Sequence, residues 1–374
     1  KIAAVSFGED GLASLGAADP DGLPETLDAS GAVLMPAFVD LHAHFRDPGQ
    51  PEKEDLESGS RAAVAGGYAT VVLMANTVPA RSDAAGAADV RSRARALGLV
   101  DAYQTVSLTR DLAGEALVDF SALDSREVPV VSEDGREVAS AALMLEAMRE
   151  AAAAGLVVSC HCEDSELASR ARALRTRALK AGLTGSAARS LLAEAGDLLA
   201  LAEDTMTARN LEIAARAGCR VHVAHVSTAR SLEFVRSAKR DRRGKTGTCP
   251  VTCEVTPHHL ALTDELAAIV NPPLRSEADR RALVAGILDG TVDAIATDHA
   301  PHTAADKASG APGFSGIQTA FSAANTALVR AGHIGLSRLS ALMSANPASI
   351  LGLNRGLLKP GMDADFTLVD PDGE

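Results

Sequence analysis

The chain has 374 residues, 47% hydrophobic and 23% charged, a balance that permits a large buried core and excludes disordered, collagen-like and disulfide-scaffold classes. Its 49 acidic and 36 basic residues give a net charge of −13, which argues against a surface built to hold nucleic acid. Five cysteines (Cys160, Cys162, Cys219, Cys249 and Cys253) are an odd, sparse set that reads as reduced thiols of a cytosolic protein. The Cys160-x-Cys162 and Cys249-x3-Cys253 pairs lack the matching second pair that a structural zinc site needs.

The opening residues, KIAAVSFGED, hold no basic segment followed by an apolar one, so no signal peptide is expected. Residues up to about Gly31 are rich in turn formers, with Asp19-Pro20-Asp21-Gly22 the clearest turn. From there, short β-rich runs alternate with longer Ala/Leu-rich runs. Strands are expected at Val33–Val39, Thr70–Met74, Asp101–Ser107, Val128–Val131, Leu156–Ser159, Arg220–Ala224, Thr252–Val255 and Ala294–Ala296. Helices are expected between them, among others at Glu54–Ala65, Asp83–Leu97, Ser140–Ala154, Thr205–Ala217 and Ala278–Leu288. Gly66-Gly67, Gly98, Gly155, Gly218 and Gly290 stand where helices should end. The uncharged run Ala62–Ala80 approaches bilayer length, but Gly66-Gly67, Asn76 and Pro79 split it, and no membrane segment is expected. Eight β-then-α units over about 300 residues are the count and length of a (β/α)8 barrel. A doubly wound open sheet competes, but no GxGxxG follows the first strand. After Asn346-Pro347 the chain returns to short strands and turns, and the two ends could pair as a small satellite domain.

The C-terminal ends of barrel strands carry the chemistry, and here they are rich in metal-ligand types. Strand one runs into Asp40-Leu41-His42-Ala43-His44-Phe45-Arg46, whose i, i+2 histidines share one side of an extended chain. Later strands end at Asn76, Ser132-Glu133-Asp134-Gly135, Cys160-His161-Cys162-Glu163-Asp164 and His225. The last two lead to Pro257-His258-His259 and Thr297-Asp298-His299-Ala300-Pro301-His302. A lone histidine is usually a surface or core residue. Eight of the ten histidines in these clusters, with His222 and His333 elsewhere, point to metal. Imidazoles and carboxylates together suit zinc or a similar ion, and their number suits two ions sharing a carboxylate. His222, three residues before His225, should point to the other face as a packing or supporting residue.

These stretches resemble the amidohydrolase superfamily and, within it, the dihydroorotases. PAFVDLHAHFRDPGQPEKEDLESGSRAAVAGG, Asn76-Thr77, SEDG, HCED, AHVSTA, EVTPHHL, NPPLR, ATDHAPH, GFSG and NPASILGL…GMDADFTLVD follow the family's order across nearly the whole chain. The resemblance implies an α/β fold, a distorted (β/α)8 TIM barrel over 35–335. It adds a small β-sandwich built from residues 1–34 and 336–374, the latter beginning with a helix. It also implies reversible interconversion of dihydroorotate and N-carbamoyl-L-aspartate by a metal-activated hydroxide, in cytoplasmic pyrimidine synthesis. One or two Zn2+ ions per chain are implied, two being favoured. His42, His44 and Asp298 would hold one, His161 and His225 the other, with Asp134 bridging. Asp298 would also shuttle the proton. Arg46, Asn76 and His302 would hold the substrate carboxylate, while Asn271, Gly313 and Phe314 would contact the ring. A small-molecule substrate, a homodimer and a complex with aspartate transcarbamoylase are the implied partners.

Several relatives bridge their metals with a carbamylated lysine. This chain has no lysine between Lys53 and Lys180, which leaves Asp134 in that position and counts against a hydantoinase. Arg46 in the His-x-His-x-Arg motif counts against allantoinase, and the retained ligands count against a catalytically silent scaffold. Ala75, Glu133 and Gln318 depart from the family pattern without removing a ligand.

Overall fold

The computed structural model describes residues 4–8, 11–16, 27–180, 185–242, 249–266 and 268–373, so the expected turn at 19–22 lies outside the described residues. The described strands are β1 (Ala4–Gly8), β2 (Gly11–Gly16), β3 (Val33–Pro36), β4 (Phe38–Ala43), β5 (Tyr68–Leu73), β6 (Asp101–Gln104), β7 (Val130–Ser132), β8 (Val157–Cys160), β9 (Arg220–Val223), β10 (Val251–Val255), β11 (Ala294–Ile295) and β12 (Phe366–Val369). Helices α1 (Leu56–Ala65), α2 (Ala84–Leu97), α3 (Ala141–Ala153), α4 (Ser165–Lys180), α5 (Gly185–Ala217), α6 (Ala229–Arg242), α7 (Pro257–Ala261) and α8 (Glu277–Asp289) alternate with them.

Strands β4 to β6 form one parallel sheet, and β7 to β11 form a second in sequence order. Isolated parallel bridges, Val106 to Val131 and Ala43 to His299, join the edges of the two sheets. All the expected strands are therefore present, but the first is two. Residues 33–36 pair antiparallel with β12, whereas 38–43 pair with β5. The partner changes at Ala37, whose N–H donates to Asp365 O while the next N–H, of Phe38, donates to Gly67 O, both at 2.9 Å. The expected run Asp101–Ser107 is also cut short. Gln104 folds its amide back onto the carbonyls of Leu73, Met74 and Thr105 at 3.1–3.2 Å and ends β6. The two chain ends meet in the β3–β12 pair, and β1 and β2 pair with each other.

Local chemistry explains the helix boundaries. Asp55 caps α1 by accepting from Ser58 N–H at 2.7 Å, and Ser58 returns the bond to Asp55 N–H at 3.0 Å. Asp83, Ser140 and Ser276 cap α2, α3 and α8. Gly98 and Gly290 end α2 and α8 at φ +63° and +81°, a region open to glycine at little cost. Strand residues alternate between two apolar clusters. Val71, Leu73, Val131, Val158 and Ile295 join helix residues such as Val90 and Met144. Val72, Val130, Val157 and Ala294 instead pack with Ile350 and Leu351 near the C-terminus. Burial on both faces is what parallel strands require. No described helix is long and apolar enough to cross a membrane.

One buried ion pair ties three segments at the C-terminal end of β9. Glu203 of α5 accepts the Ser227 and Thr228 N–H groups at 2.9 and 3.0 Å, as well as Arg275 Nη2 at 3.2 Å. Arg275 also donates to Leu199 O at 3.1 Å and to Ser227 Oγ at 2.9 Å. Burial pushes the Glu203 pKa up, but Arg275 and Ser227 outweigh it and leave it below the ordinary value. The pair's contribution is thus present above the unfolded carboxylate pKa and lost as pH falls through the folded one. Arg275→Met should cost about 3–5 kcal/mol at neutral pH, because it strands a buried carboxylate. Without its partner Glu203 titrates high, so urea denaturation should show the deficit shrinking as pH drops toward 4.5. A deficit independent of pH would place the cost in packing instead of charge.

Candidate active site

Strand ends bring the predicted ligands together. His42 and His44 leave β4, Asp134 follows β7, His161 follows β8, His225 follows β9 and Asp298 follows β11, and every one is buried. His44 Nε2 lies 3.2 Å from Asp298 Oδ1 and 3.6 Å from Asp134 Oδ2. His42 Nε2 lies 3.4 Å from Asp134 Oδ1 and 3.7 Å from Asp298 Oδ1. His161 Nδ1 is 3.2 Å from Asp134 Oδ1 and 2.9 Å from His225 Nε2, which itself lies 3.8 Å from Asp134 Oδ1.

Two ligand groupings result, each with its atoms within 4.8 Å of one another: His42, His44 and Asp298, and His42, Asp134 and His225. The second uses His42 where the resemblance implied His161. His161 instead turns Nδ1 toward His225 and Asp134. Its Nε2, like His42 Nε2 and Asp134 Oδ1, is buried without a hydrogen-bond partner. A buried polar atom without a partner is costly. Imidazole lone pairs and carboxylate oxygens gathered this way fit a divalent cation.

Electrostatics bind the cluster together. Burial opposes ionisation of Asp134, but the His42 and His161 imidazoles overcome it and hold the carboxyl well below the usual range. Burial likewise works against charge on Asp298, and His44 and His42 overcome it. His161 is desolvated too, yet Asp134 raises its pKa to about 9. His44 is lowered, chiefly by burial. Two of the expected ligands occupy left-handed backbone, His225 at φ +31° and Asp298 at φ +46°, a strained region for side-chain-bearing residues that concentrates at functional sites.

Buried carboxylates that sequence reasoning passed over hold these strand ends. Asp40 accepts Thr297 N–H at 2.9 Å and Thr297 Oγ1–H at 2.5 Å, directly before Asp298. Desolvation raises its pKa to about 6. Glu254 of β10 lies 3.1 Å from His42 Nδ1 and 3.0 Å from His222 Nε2. Burial would raise Glu254, but His222 and His42 bring it down to about 2. His222 is therefore the supporting residue its position suggested. A signal was present, since an acid inside an apolar strand run such as Cys253-Glu254-Val255 is seldom buried without partners.

The substrate-side residues fall into two groups. Arg46, half-buried, donates through Nε to Pro301 O at 3.3 Å, and its Nη2 lies 3.4 Å from His302 Nε2. Asn76 does not stand with them. Its Oδ1 is 3.0 Å from His44 Nδ1 and its Nδ2 donates to Asp134 Oδ2 at 3.0 Å, so it links two ligands. The segment of Asn271 is tied to Gly313 by Gly313 N–H to Ile269 O at 3.0 Å. Lys307 Nζ reaches Ile269 O at 3.2 Å and Gly313 O at 2.9 Å. Phe314 packs edge-on against His258, centroids 5.4 Å apart. Burial pushes the Cys160 and Cys162 thiols up, away from the thiolate a metal would need.

A family model described as the amidohydrolase family matches residues 33–373. The chain is 40% identical over 350 residues to a dihydroorotase of Clostridium botulinum (strain Eklund 17B / Type B), covering 93% of this chain and 80% of that one. It is 42% identical over 361 residues to a dihydroorotase of Anaeromyxobacter dehalogenans (strain 2CP-C), covering 93% and 79%. Among solved structures, L-hydantoinase (dihydropyrimidinase) from Arthrobacter aurescens superimposes with a TM-score of 0.80 at 25% identity, covering 97% of this chain and 82% of that one. Dihydropyrimidinase from Brevibacillus agri NCHU1002 gives 0.82 at 22% identity, covering 99% and 82%, a likeness of fold. With the model spanning nearly all of it and relatives at this identity along its length, the chain belongs to the amidohydrolase family.

Proposed function

We propose that this chain is a dihydroorotase, which interconverts (S)-dihydroorotate and N-carbamoyl-L-aspartate in pyrimidine biosynthesis. The observation that carries the reading is a guanidinium, Arg46, set two residues beyond His44 at the edge of the buried ligand cluster and against His302. Dihydroorotate is a cyclic amide bearing a carboxylate, and this corner offers one group for each part. Relatives bearing the name dihydroorotase at about 40% identity support it.

His42, His44 and Asp298 would hold one ion, His161 and His225 a second, and Asp134 both, zinc being the ion that this donor set suits. When bound, such ions polarise a carbonyl and bring the pKa of a water close to neutrality. The chain's own residues do the rest. Arg46 binds the substrate carboxylate through parallel N–H donors, and the Asn271 and Gly313–Phe314 segments bracket the ring. Water adds to the ring amide carbonyl carbon that borders the methylene group. Its proton passes to the Asp298 carboxylate and from there to the ring nitrogen as the C–N bond breaks. We further propose that the two sheets close as one eight-stranded barrel beside a satellite formed by both chain ends. The enzyme is read as a cytoplasmic homodimer able to assemble with aspartate transcarbamoylase.

The direct test is turnover by purified protein of measured zinc content. Dihydroorotate should be hydrolysed, and hydantoin or allantoin turned over faster would overturn the assignment. Arg46→Met should lower kcat/KM for dihydroorotate about 30- to 1,000-fold, the equivalent of roughly 2–4 kcal/mol for a charged contact in a partly desolvated site. Zinc content should hold, and any weak dihydrouracil activity should hardly change, because that ring lacks the carboxylate. Equal losses on both substrates would make Arg46 a structural residue. Asp298→Asn keeps an oxygen but takes no proton, so turnover should fall about 10²- to 10⁴-fold with zinc partly retained. Near-normal turnover at full zinc content would remove the shuttle role.

A further inference from the structure

The buried groups behind the ligand cluster form a chain of hydrogen bonds that the catalytic reading does not use. Glu254 sits on β10 with its side chain 1% exposed, and both of its oxygens are engaged. Oε1 is 3.1 Å from His42 Nδ1, and Oε2 is 3.0 Å from His222 Nε2. On the far side, His222 Nδ1 lies 2.8 Å from Thr252 Oγ1. Proton positions follow from what each group can do. A carboxylate facing two imidazoles accepts only, so His42 Nδ1 and His222 Nε2 both carry hydrogen. His222 Nδ1 rests against the Thr252 hydroxyl, which also reaches Val221 O at 3.4 Å. In its singly protonated, ligating form His42 then has its lone pair on Nε2, the atom that is buried without a partner and faces Asp134 and Asp298.

We infer that Glu254, braced by His222 and Thr252, is a positioning residue that fixes the tautomer and ring orientation of His42 so that Nε2 is presented to the cation. The inference rests on the metal reading proposed above. His42 is the residue for which this matters most, because it alone is common to both ligand groupings. His44 has an analogous anchor, Asn76 Oδ1 at 3.0 Å from its Nδ1. An amide, unlike a carboxylate, can turn and present either atom. A carboxylate behind His42 enforces one tautomer and raises the basicity of the ligating nitrogen as well, which is the general effect of such partners on metal-bound histidine.

The test measures Zn2+ affinity by chelator competition on the wild-type protein, Glu254→Gln and Glu254→Asp, with urea unfolding of each. Glu254→Gln should weaken Zn2+ binding about 10- to 100-fold, and Glu254→Asp should recover part of the loss. Nitrogen-15 histidine spectra of the zinc-loaded wild-type protein should place His42 on the metal through Nε2 with a proton on Nδ1, which tests the tautomer even if a variant folds poorly. A folded Glu254→Gln that binds Zn2+ within about threefold of the wild type, or coordination through Nδ1, would overturn the inference and leave the metal reading standing. A wild-type protein that takes up no Zn2+ would overturn both.

Discussion

Mutual neutralisation of imidazoles and carboxylates in a dry space is the constraint on which the rest of the structure depends. Any one of these groups, buried alone, would give up its charge or destabilise the fold. Here burial is overcome at Asp134 and Asp298 only because imidazoles surround them, and at His161 only because Asp134 adjoins it. The cluster draws on five strand ends, so it also sets how those strands must be arranged. A parallel sheet that delivers all its C-terminal ends to one side is the architecture that supplies such a meeting point without long loops.

Convergence alone does not aim the ligands. A strand that simply ran on would carry successive side chains to alternate faces, and both His225 and Asp298 depart from β geometry instead. Each departure is over-determined by a buried acid on a neighbouring element. Glu203 and Glu254 accept backbone N–H groups at His225, Ser227 and Thr228, and Asp40 accepts that of Thr297. Glu133, directly before Asp134, accepts the Leu108 and Thr109 N–H groups at 2.8 and 3.0 Å. The strand ends are thus rigidified by ionic caps, which is how strained backbone persists.

Much of this was legible from residue types, because short, near-continuous apolar runs punctuated by glycine identify buried parallel strands, and histidines concentrated at their ends point to the candidate site. The failures have physical causes. The break at Ala37 had one local signal, Pro36, which has no N–H to give a ladder, but the distant strand with which each half pairs cannot be read from either run. Helix α4 packs against α5 through Ala168 and Ala171 on Ala195 and Leu199, a small-residue face that an arginine-rich sequence hides. Glu254 and Asp40 went unread because their partners, His42, His222 and Thr297, lie far away along the chain. The Asn76 contacts to His44 and Asp134 went unread for a related reason: its spacing says it reaches the site but not which atoms it meets there.

Those contacts bear on how the proposed anion corner would work. On the proposed reading, with Asn76 bonded to His44 and Asp134, the substrate carboxylate falls to Arg46, and His302 stands beside it. The His302 ring is constrained, for its Nε2 lies 2.9 Å from Pro312 O, and a carbonyl oxygen can only accept, so Nε2 carries the hydrogen. Burial, and then the neighbouring Arg46 charge, lower the His302 pKa and keep the ring neutral. Its Nδ1, buried and unpartnered, is therefore a lone pair that suits a ring N–H and would repel a carboxylate. On the proposed reading the two residues would divide the substrate between them, the guanidinium taking the anion and the imidazole an amide hydrogen beside it. A corner built this way discriminates twice, against rings without the carboxylate and against rings whose adjacent nitrogen carries no proton.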